Sequence, residues 1–292
     1  MFGVLPVDKP AGLTSRDVCN RIDRLVRPDK VGHTGTLDPL ATGVLLLAIG
    51  SAARLVEFSL GHSKEYEADF LLGQRSATLD IDSQIEHLST APRPELQQLQ
   101  AQIVPWIGRV KQVPPKFSAI NVGGRRAYDL ARKGHDFQLP AREIEIFAIE
   151  ILGYDYPLLR LRIECGSGTY VRSLGSDLAR AVGSDAVMSR LVRTRVGPFR
   201  LADCVPLEQL PAAAEIQHHL RPPQLLIADM PTVRLSPEQA ALIRNGIPLQ
   251  LEPELPLRLI ATDEHDQLVA VLERVAAAAA VRYRSLRVFH GS

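Results

Sequence analysis

GHTGTLDPLATG, residues 32–43, is the stretch on which the reading of this chain turns. Gly32, Gly35 and Gly43 permit tight backbone paths, and Pro39 directly after Asp38 steers that aspartate away from helical geometry. A carboxylate in a stiff loop bounded by glycine and proline suits presentation in a pocket. The same aspartate could instead cap the turn or a following helix. The loop lacks the GK[ST] ending of a Walker phosphate loop. It feeds VLLLAIG, residues 44–50, whose length and flanking glycines fit a buried strand or the start of a helix, and periodicity does not separate the two.

Outward from this loop, residues 3–7 form an apolar strand candidate stopped by the turn-like DKPAG of residues 8–12. Thr14 or Ser15 can cap a helix to about Val26, in which Val18, Ile22, Leu25 and Val26 recur at helical spacing until Pro28. Residues 65–72 alternate as a strand closed by Gly73, and residues 94–103 read as a helix with Leu96, Leu99 and Ile103 on one face. Residues 112–134 begin turn-rich and become helical through Ala127, Leu130 and Ala131. Strands are expected over residues 142–152 and 158–165, the second alternating Leu159, Leu161 and Ile163 with Arg160, Arg162 and Glu164. YVRSLGSDLARAV, residues 170–182, is a helix with Val171, Leu174, Leu178 and Val182 on one face, and the first unit closes at Phe199. A connector with a short helix, residues 206–228, leads to a second unit. There Ser236, Pro237 and Glu238 give a cap, a first-turn proline and a first-turn acid for a helix stopped by Gly246. Residues 257–260, 268–272 and 286–289 are read as its strands, and the alanine run of residues 276–280 as a permissive surface segment.

A chain of 292 residues allows about two domains. Lys9 and Arg16 interrupt any apolar start of a secretion signal, and the apolar runs 44–49 and 275–281 fall far short of a bilayer span, so a cytoplasmic protein off the membrane is expected. Cys19, Cys165 and Cys204 suggest neither a disulfide framework nor a zinc site, and the eight histidines, His218 and His219 included, show no HxxxH or HExxH spacing. No metal is expected. The net charge of +1 hides an asymmetry. Arg109, Lys111, Lys116, Arg125, Arg126, Arg132 and Lys133 face Asp129 alone, whereas residues 203–264 hold nine acids against four arginines. The basic stretch can bind a polyanion by counterion release, or be no more than a solvated loop.

The run GHTGTLDPLATGVL resembles the signature of the TruB family, the bacterial pseudouridine synthases acting on the T-arm of tRNA. The resemblance continues in order through DKPAGLTS (8–15), KEY (64–66), LGQRSATLD (72–80), KQVPPKFSAI (111–120) and CGSGTYVRSLGSDL (165–178), covering most of residues 1–200. It implies an α/β (α+β) pseudouridine synthase fold: a central mixed, largely antiparallel sheet flanked by helices and loops, plus a small C-terminal β-rich PUA-like domain. The implied division is a catalytic domain of residues 1–228 and an RNA-binding module of residues 229–292. The implied activity is isomerisation of the T-loop uridine, position 55 of tRNA, after that base is flipped from its stack. The uracil stays in the site throughout, so no cofactor is required. The implied partner is the tRNA T-arm, with no membrane and no obligatory protein or guide RNA.

By the same resemblance Asp38 is the essential carboxylate, Tyr66 stacks on the target uracil, and Arg172 holds Asp38 ionised through a charge-assisted pair. Tyr170 and Leu191 line the pocket, and His33 meets the displaced loop nucleotides. Lys9 organises the active-site loops or touches RNA, and Lys64 is grouped with the RNA contacts. Lys111, Lys116, Arg125, Arg126 and Lys133 belong to an inserted region that closes over the RNA arm and engages its backbone. The late cluster Arg282, Arg284 and Arg287 could grip a more distant part of the tRNA. Two departures from the family pattern, Ala77 with Ser83 and Val192 before Arg193, put local RNA contacts in doubt more than catalysis. Two other readings are a noncatalytic tRNA-binding protein and a guide-RNA-dependent relative.

Overall fold

The computed structural model describes residues 1–275 and 281–289; the alanine run at 276–280 lies outside the described residues. Backbone contacts divide the chain into two compact units, Met1–Asp38 with Leu45–Gly61 and Gly197–Ser292, and Pro39–Val44 with His62–Val196.

The first unit begins with β1 (Gly3–Lys9) and α1 (Ser15–Val26). Of the two possible caps, Thr14 takes the role: it accepts from the Asp17 N–H while Asp17 returns a bond to the Thr14 backbone, a complete capping box. Val18, Cys19, Ile22 and Val26 form the buried face of α1 and pack with Leu5 and Val7 of β1. β2 (Val31–Thr34) runs antiparallel to β3 (Thr42–Ile49), which settles VLLLAIG as a strand, buried from Gly43 to Ile49. β3 neighbours β1, and β1 carries β14 (Val205–Pro206) in parallel on its other edge, after the short β13 (Phe199–Arg200). α5 (Ala213–His219) follows and buries Ile216 in the same core.

The rest of this unit is a β-rich module. Its sheet has the order β15 (Thr232–Arg234), β17 (Arg258–Thr262), β18 (Leu268–Val275), β19 (Arg282–Val288) and β16 (Leu249–Gln250). α6 (Pro237–Arg244) covers it, capped by Ser236, and buries Ala240 and Ile243 against Leu259, Val269 and Leu272. The last strand starts at Arg282, earlier than the sequence pattern indicates. Tyr283 between two arginines is fully buried, and its hydroxyl donates to the Leu255 carbonyl at 2.7 Å.

In the second unit the sheet order is β3, β12 (Ala186–Val196), β4 (Lys64–Leu72), β11 (Leu158–Cys165), β10 (Arg142–Asp155) and β7 (Gly108–Gln112). β12 is parallel to β3 and the other pairs are antiparallel, so the sheet is mixed. β4 alternates strictly, burying Lys64, Tyr66, Ala68, Phe70 and Leu72 and turning Glu65, Glu67 and Asp69 the other way. On that second face Arg162 reaches Glu67 and Glu150, and Arg190 approaches Asp69, a cross-strand charge ladder suited to solvent. α4 (Val171–Ala181) packs on β12 and β4. Gly175 permits this: a Cβ there would lie 1.9 Å from the Phe70 ring.

Between β4 and β10 lie the short pair β5 (Gln74–Arg75) and β6 (Glu86–His87), and α2 (Leu96–Ile103). α2 buries Leu99 alone; Leu96 of the expected face is exposed. Beyond β7 the hairpin of β8 (Asn121–Val122) and β9 (Arg125–Arg126) leads into α3 (Ala127–Arg132). Ile120, Ala127 and Leu139 give this insertion its own small core. Among the described residues no helix is long and apolar enough to cross a membrane.

Candidate active site

Asp38 lies in the first unit, on the loop joining β2 to β3. Its neighbour Leu37 is buried and clasped at both ends by one side chain. The Leu37 N–H donates to Ser15 Oγ at 2.8 Å, and the Ser15 hydroxyl donates to the Leu37 carbonyl at 3.2 Å. Because Thr14 does the capping, Ser15 is released for this clasp and fixes the backbone next to the partly exposed carboxylate. Five residues beyond Asp38, Gly43 has φ 97°, and a Cβ there would stand 2.3 Å from the Arg193 carbonyl. The motif's glycine is therefore needed both for its backbone conformation and for the close approach of β12. His33 is partly exposed on β2. Lys9 is fully buried at the end of β1, and its Nζ donates to the Pro10 carbonyl at 2.8 Å.

Arg172 lies in the second unit, in the first turn of α4, with 5% of its surface exposed. Its guanidinium donates to the carbonyls of Thr78 (2.6 Å) and Phe117 (3.1 Å) and stands 3.3 Å from Asp80 Oδ2. Asp80 is also buried, and its carboxylate accepts from the Thr78 hydroxyl and from the Asp82 N–H. Leu79 between them has φ 62°, a left-handed backbone uncommon for a residue with a Cβ. That turn lets the Thr78 carbonyl and the Asp80 side chain converge on one guanidinium nitrogen. Ser83, a departure from the family pattern, closes the loop: its Oγ lies 2.8 Å from Thr78 Oγ1. Ala77, the other departure there, is exposed.

Tyr66 sits mid-strand on β4, 7% exposed, on the same face as Lys64 and opposite Arg193 of β12. Arg193, the one charge left of the family's arginine pair, is buried and donates from Nε to the Val44 carbonyl at 2.7 Å. Lys64 is buried as well, donating to Ser167 Oγ (2.8 Å) and the His62 carbonyl (3.0 Å). Burial, reinforced by the positive charge of Arg193, lowers its pKa to about 8. Leu191 is buried on β12. Burial also raises the thiols of Cys19 and Cys165 to about 11, which makes them inert packing groups.

Lys111 near the end of β7 and Lys116, Arg125, Arg126 and Lys133 of the insertion lie at the surface. Lys116 is paired with Asp136 at 2.9 Å, and Arg126 donates to the Ala119 carbonyl at 2.6 Å. Tyr170, the N-cap residue of α4, packs on the insertion's core. No cluster of three His, Cys, Asp or Glu suited to a metal occurs among the described residues.

The family model for the TruB family pseudouridylate synthase N-terminal domain matches residues 23–171, and that for the tRNA pseudouridylate synthase B C-terminal domain matches residues 172–228. The chain belongs to the TruB family. A protein named tRNA pseudouridine synthase B from Xanthomonas campestris pv. campestris is 40% identical over 297 residues, covering 100% of this chain and 95% of its own. Its namesake in Sinorhizobium medicae is 37% identical, with 99% and 96% covered, and that of Rhodopirellula baltica is 41% identical, with 87% and 77% covered. A chain in the solved structure of an H/ACA RNP bound to a substrate RNA containing 2′-deoxyuridine superposes with a TM-score of 0.75 over 99% of this chain and 86% of its own. Its 23% identity shows a shared fold.

Within this TruB-family chain the structure thus brings Tyr66, Lys64, Arg172, Tyr170 and Leu191 into one unit, and Lys9, His33 and Asp38 into the other. Three residues went unassigned by sequence reasoning: Ser15, which clasps Leu37; Asp80, the buried partner of Arg172; and Gln112, which holds Tyr170. Each falls inside a stretch that carries the family resemblance. Their polar types, buried in the structure, were the available signal.

Proposed function

We propose that this TruB-family chain is a cytoplasmic tRNA pseudouridine synthase that isomerises the single T-loop uridine, position 55, with Asp38 as the attacking carboxylate. The observation that carries the reading is the Ser15 clasp on Leu37, which fixes the backbone beside Asp38. Asp38 attacks the uracil ring or the ribose as the bond from ribose to uracil N1 breaks. The detached uracil turns, its C5 bonds to the ribose, the bond to Asp38 breaks and returns the free carboxylate, and the C5 proton leaves as N1 gains one. Atoms balance within the substrate, so the step calls on no cofactor. Tyr66 stacks on the uracil, Leu191 and Tyr170 line its pocket, and Arg172 supplies the positive charge that complements the attacking carboxylate.

The exposed Lys111, Lys116, Arg125, Arg126 and Lys133 neutralise T-arm phosphates, and His33 meets the displaced nucleotides. Lys9 and Lys64 are buried and hold loops in this reading. Residues 1–228 act as the catalytic domain, residues 229–292 as a PUA-like module, and no protein or guide RNA is needed. The test is base-resolved pseudouridine mapping on full tRNA and on an isolated T-arm, using the purified chain alone. One modified uridine is expected in each RNA, with product abolished and RNA affinity retained in Asp38→Asn. Near-normal product from folded Asp38→Asn would overturn the assignment of Asp38, and an inert T-arm at saturating enzyme would overturn the T-arm reading.

A further inference from the structure

The insertion leaves the sheet after Gln112, the last residue of β7, and returns at Arg142, the first of β10; these two residues are paired in register. Gln112 therefore stands at the neck of the insertion, where the sheet fixes its backbone. Its side chain is 2% exposed and points to α4. There Tyr170 is an N-cap residue in extended conformation with no side-chain cap of its own. Gln112 Nε2 donates to the Tyr170 carbonyl at 3.0 Å, and the Tyr170 N–H donates to Gln112 Oε1 at 2.8 Å. One amide thus exchanges both bonds with one residue, as two residues do in a hydrogen-bonded antiparallel pair. Neither an aliphatic side chain nor a carboxylate supplies both halves.

Two further ties join the same turn to the insertion. The Tyr170 side chain packs with Ile120, Ala127 and Leu139, and Arg172 donates to the Phe117 carbonyl. The first turn of α4 is thereby held by the insertion at its neck, at its core and at Phe117.

We propose that Gln112 is a positioning residue: its amide locks the N-terminal turn of α4 to the neck of the basic insertion, so that RNA seated on the insertion sets the place of Arg172. This rests on the proposed role of Arg172 in the isomerisation. Gln112 touches no reacting atom; it acts through Tyr170 and the helix start.

The experiment compares wild type, Gln112→Met and Gln112→Glu in single-turnover reactions on T-arm RNA at saturating enzyme from acidic to alkaline pH, with RNA affinity measured in parallel. Wild type at each pH removes the contribution of the titratable neighbours Lys111, Arg142, Tyr170 and Arg172. Gln112→Met is expected to lose about tenfold or more in rate at every pH with little change in affinity. Gln112→Glu restores both bonds only as the protonated acid, donating to the Tyr170 carbonyl and accepting from its N–H. Its rate relative to wild type should therefore climb as the pH falls, which a merely weakened fold does not do. Amide hydrogen exchange supplies a readout besides activity: exchange across the first turn of α4 is faster in Gln112→Met, and β4 stays protected. Wild-type turnover by folded Gln112→Met, or a Gln112→Glu profile parallel to that of Gln112→Met, overturns the proposal. An inert wild type would refute the functional reading instead, and unchanged exchange at Tyr170 in Gln112→Met would then still refute the tie.

Discussion

Lys64 should make the stability of this protein rise with pH in a window where most proteins gain nothing. The amine has an ordinary pKa of 10.5 and a folded value of about 8, displaced chiefly by burial. Between those values the unfolded chain holds a proton that the folded chain has released, so raising the pH favours the folded chain. Below about pH 8 the full cost of keeping a buried ammonium is present, on the order of 3 kcal/mol for a displacement of this size. From pH 7 to pH 10 about 2 kcal/mol of it should be recovered. Lys64→Met isolates this contribution from the other groups that titrate in the range. The variant drops the charge, but leaves the His62 carbonyl and Ser167 Oγ without that donor, a loss of about 1–3 kcal/mol for each group left unsatisfied. At pH 7 gain and loss should therefore nearly offset, and wild type should pull ahead as the pH rises. Urea unfolding of both proteins at a series of pH values, followed by circular dichroism, gives the difference directly. A wild-type-minus-variant stability that stays constant from pH 7 to pH 10 would refute the reasoning and place the amine in contact with water.

Gly175→Ala should lower the melting temperature despite the better helix propensity of alanine, because the new methyl meets the buried Phe70 ring; the expected cost is about 1–3 kcal/mol. Calorimetry checks it, and adding Phe70→Leu should return part of the loss. Asp80→Ala should destabilise by about 3 kcal/mol, since it removes a carboxylate from a buried guanidinium. In a double-mutant cycle with Arg172→Met the two losses should fall well short of adding, and simple additivity would mean that the pair is not coupled.

The elements that the sequence showed plainly are those in which local pattern and tertiary demand agree. β4 alternates because one face is buried beneath α4 and the other carries the charge ladder. α1 starts where its capping box is written. VLLLAIG was undecidable locally because a strand buried on both faces has no period to read; its pairing with β2 and β12 settles it. Residues 282–285 were passed over because two arginines flank the one residue, Tyr283, that the core takes in. Asp38, Tyr66 and Arg172 were assigned to the candidate site by resemblance. Composition could not reveal that Arg172 has a partner 92 positions away in Asp80, or that Gln112 reaches Tyr170 across 58 residues. Such contacts depend on which strands become neighbours.

Charge shows the same limit more sharply. Lys64 and the lysines of the insertion look alike in a sequence, yet burial gives them opposite work. Lys9, Lys64, Arg172 and Arg193 are removed from water and spend their donors on backbone carbonyls and buried partners, so each fixes a loop or a strand end. Lys111, Lys116, Arg125, Arg126 and Lys133 stay at the surface, where a phosphate can compete for them. Added salt screens the second set within about a Debye length and leaves the first almost untouched. Polyanion binding at the insertion and the internal order of the buried groups should therefore be separable by ionic strength, even though a formal charge of +1 suggests neither. The first turn of α4 is where the two sets meet. Arg172 belongs to the buried group, and the Phe117 carbonyl that it holds belongs to the segment bearing the exposed one. A polyanion drawn to the insertion acts on a segment that is already hydrogen-bonded to the arginine.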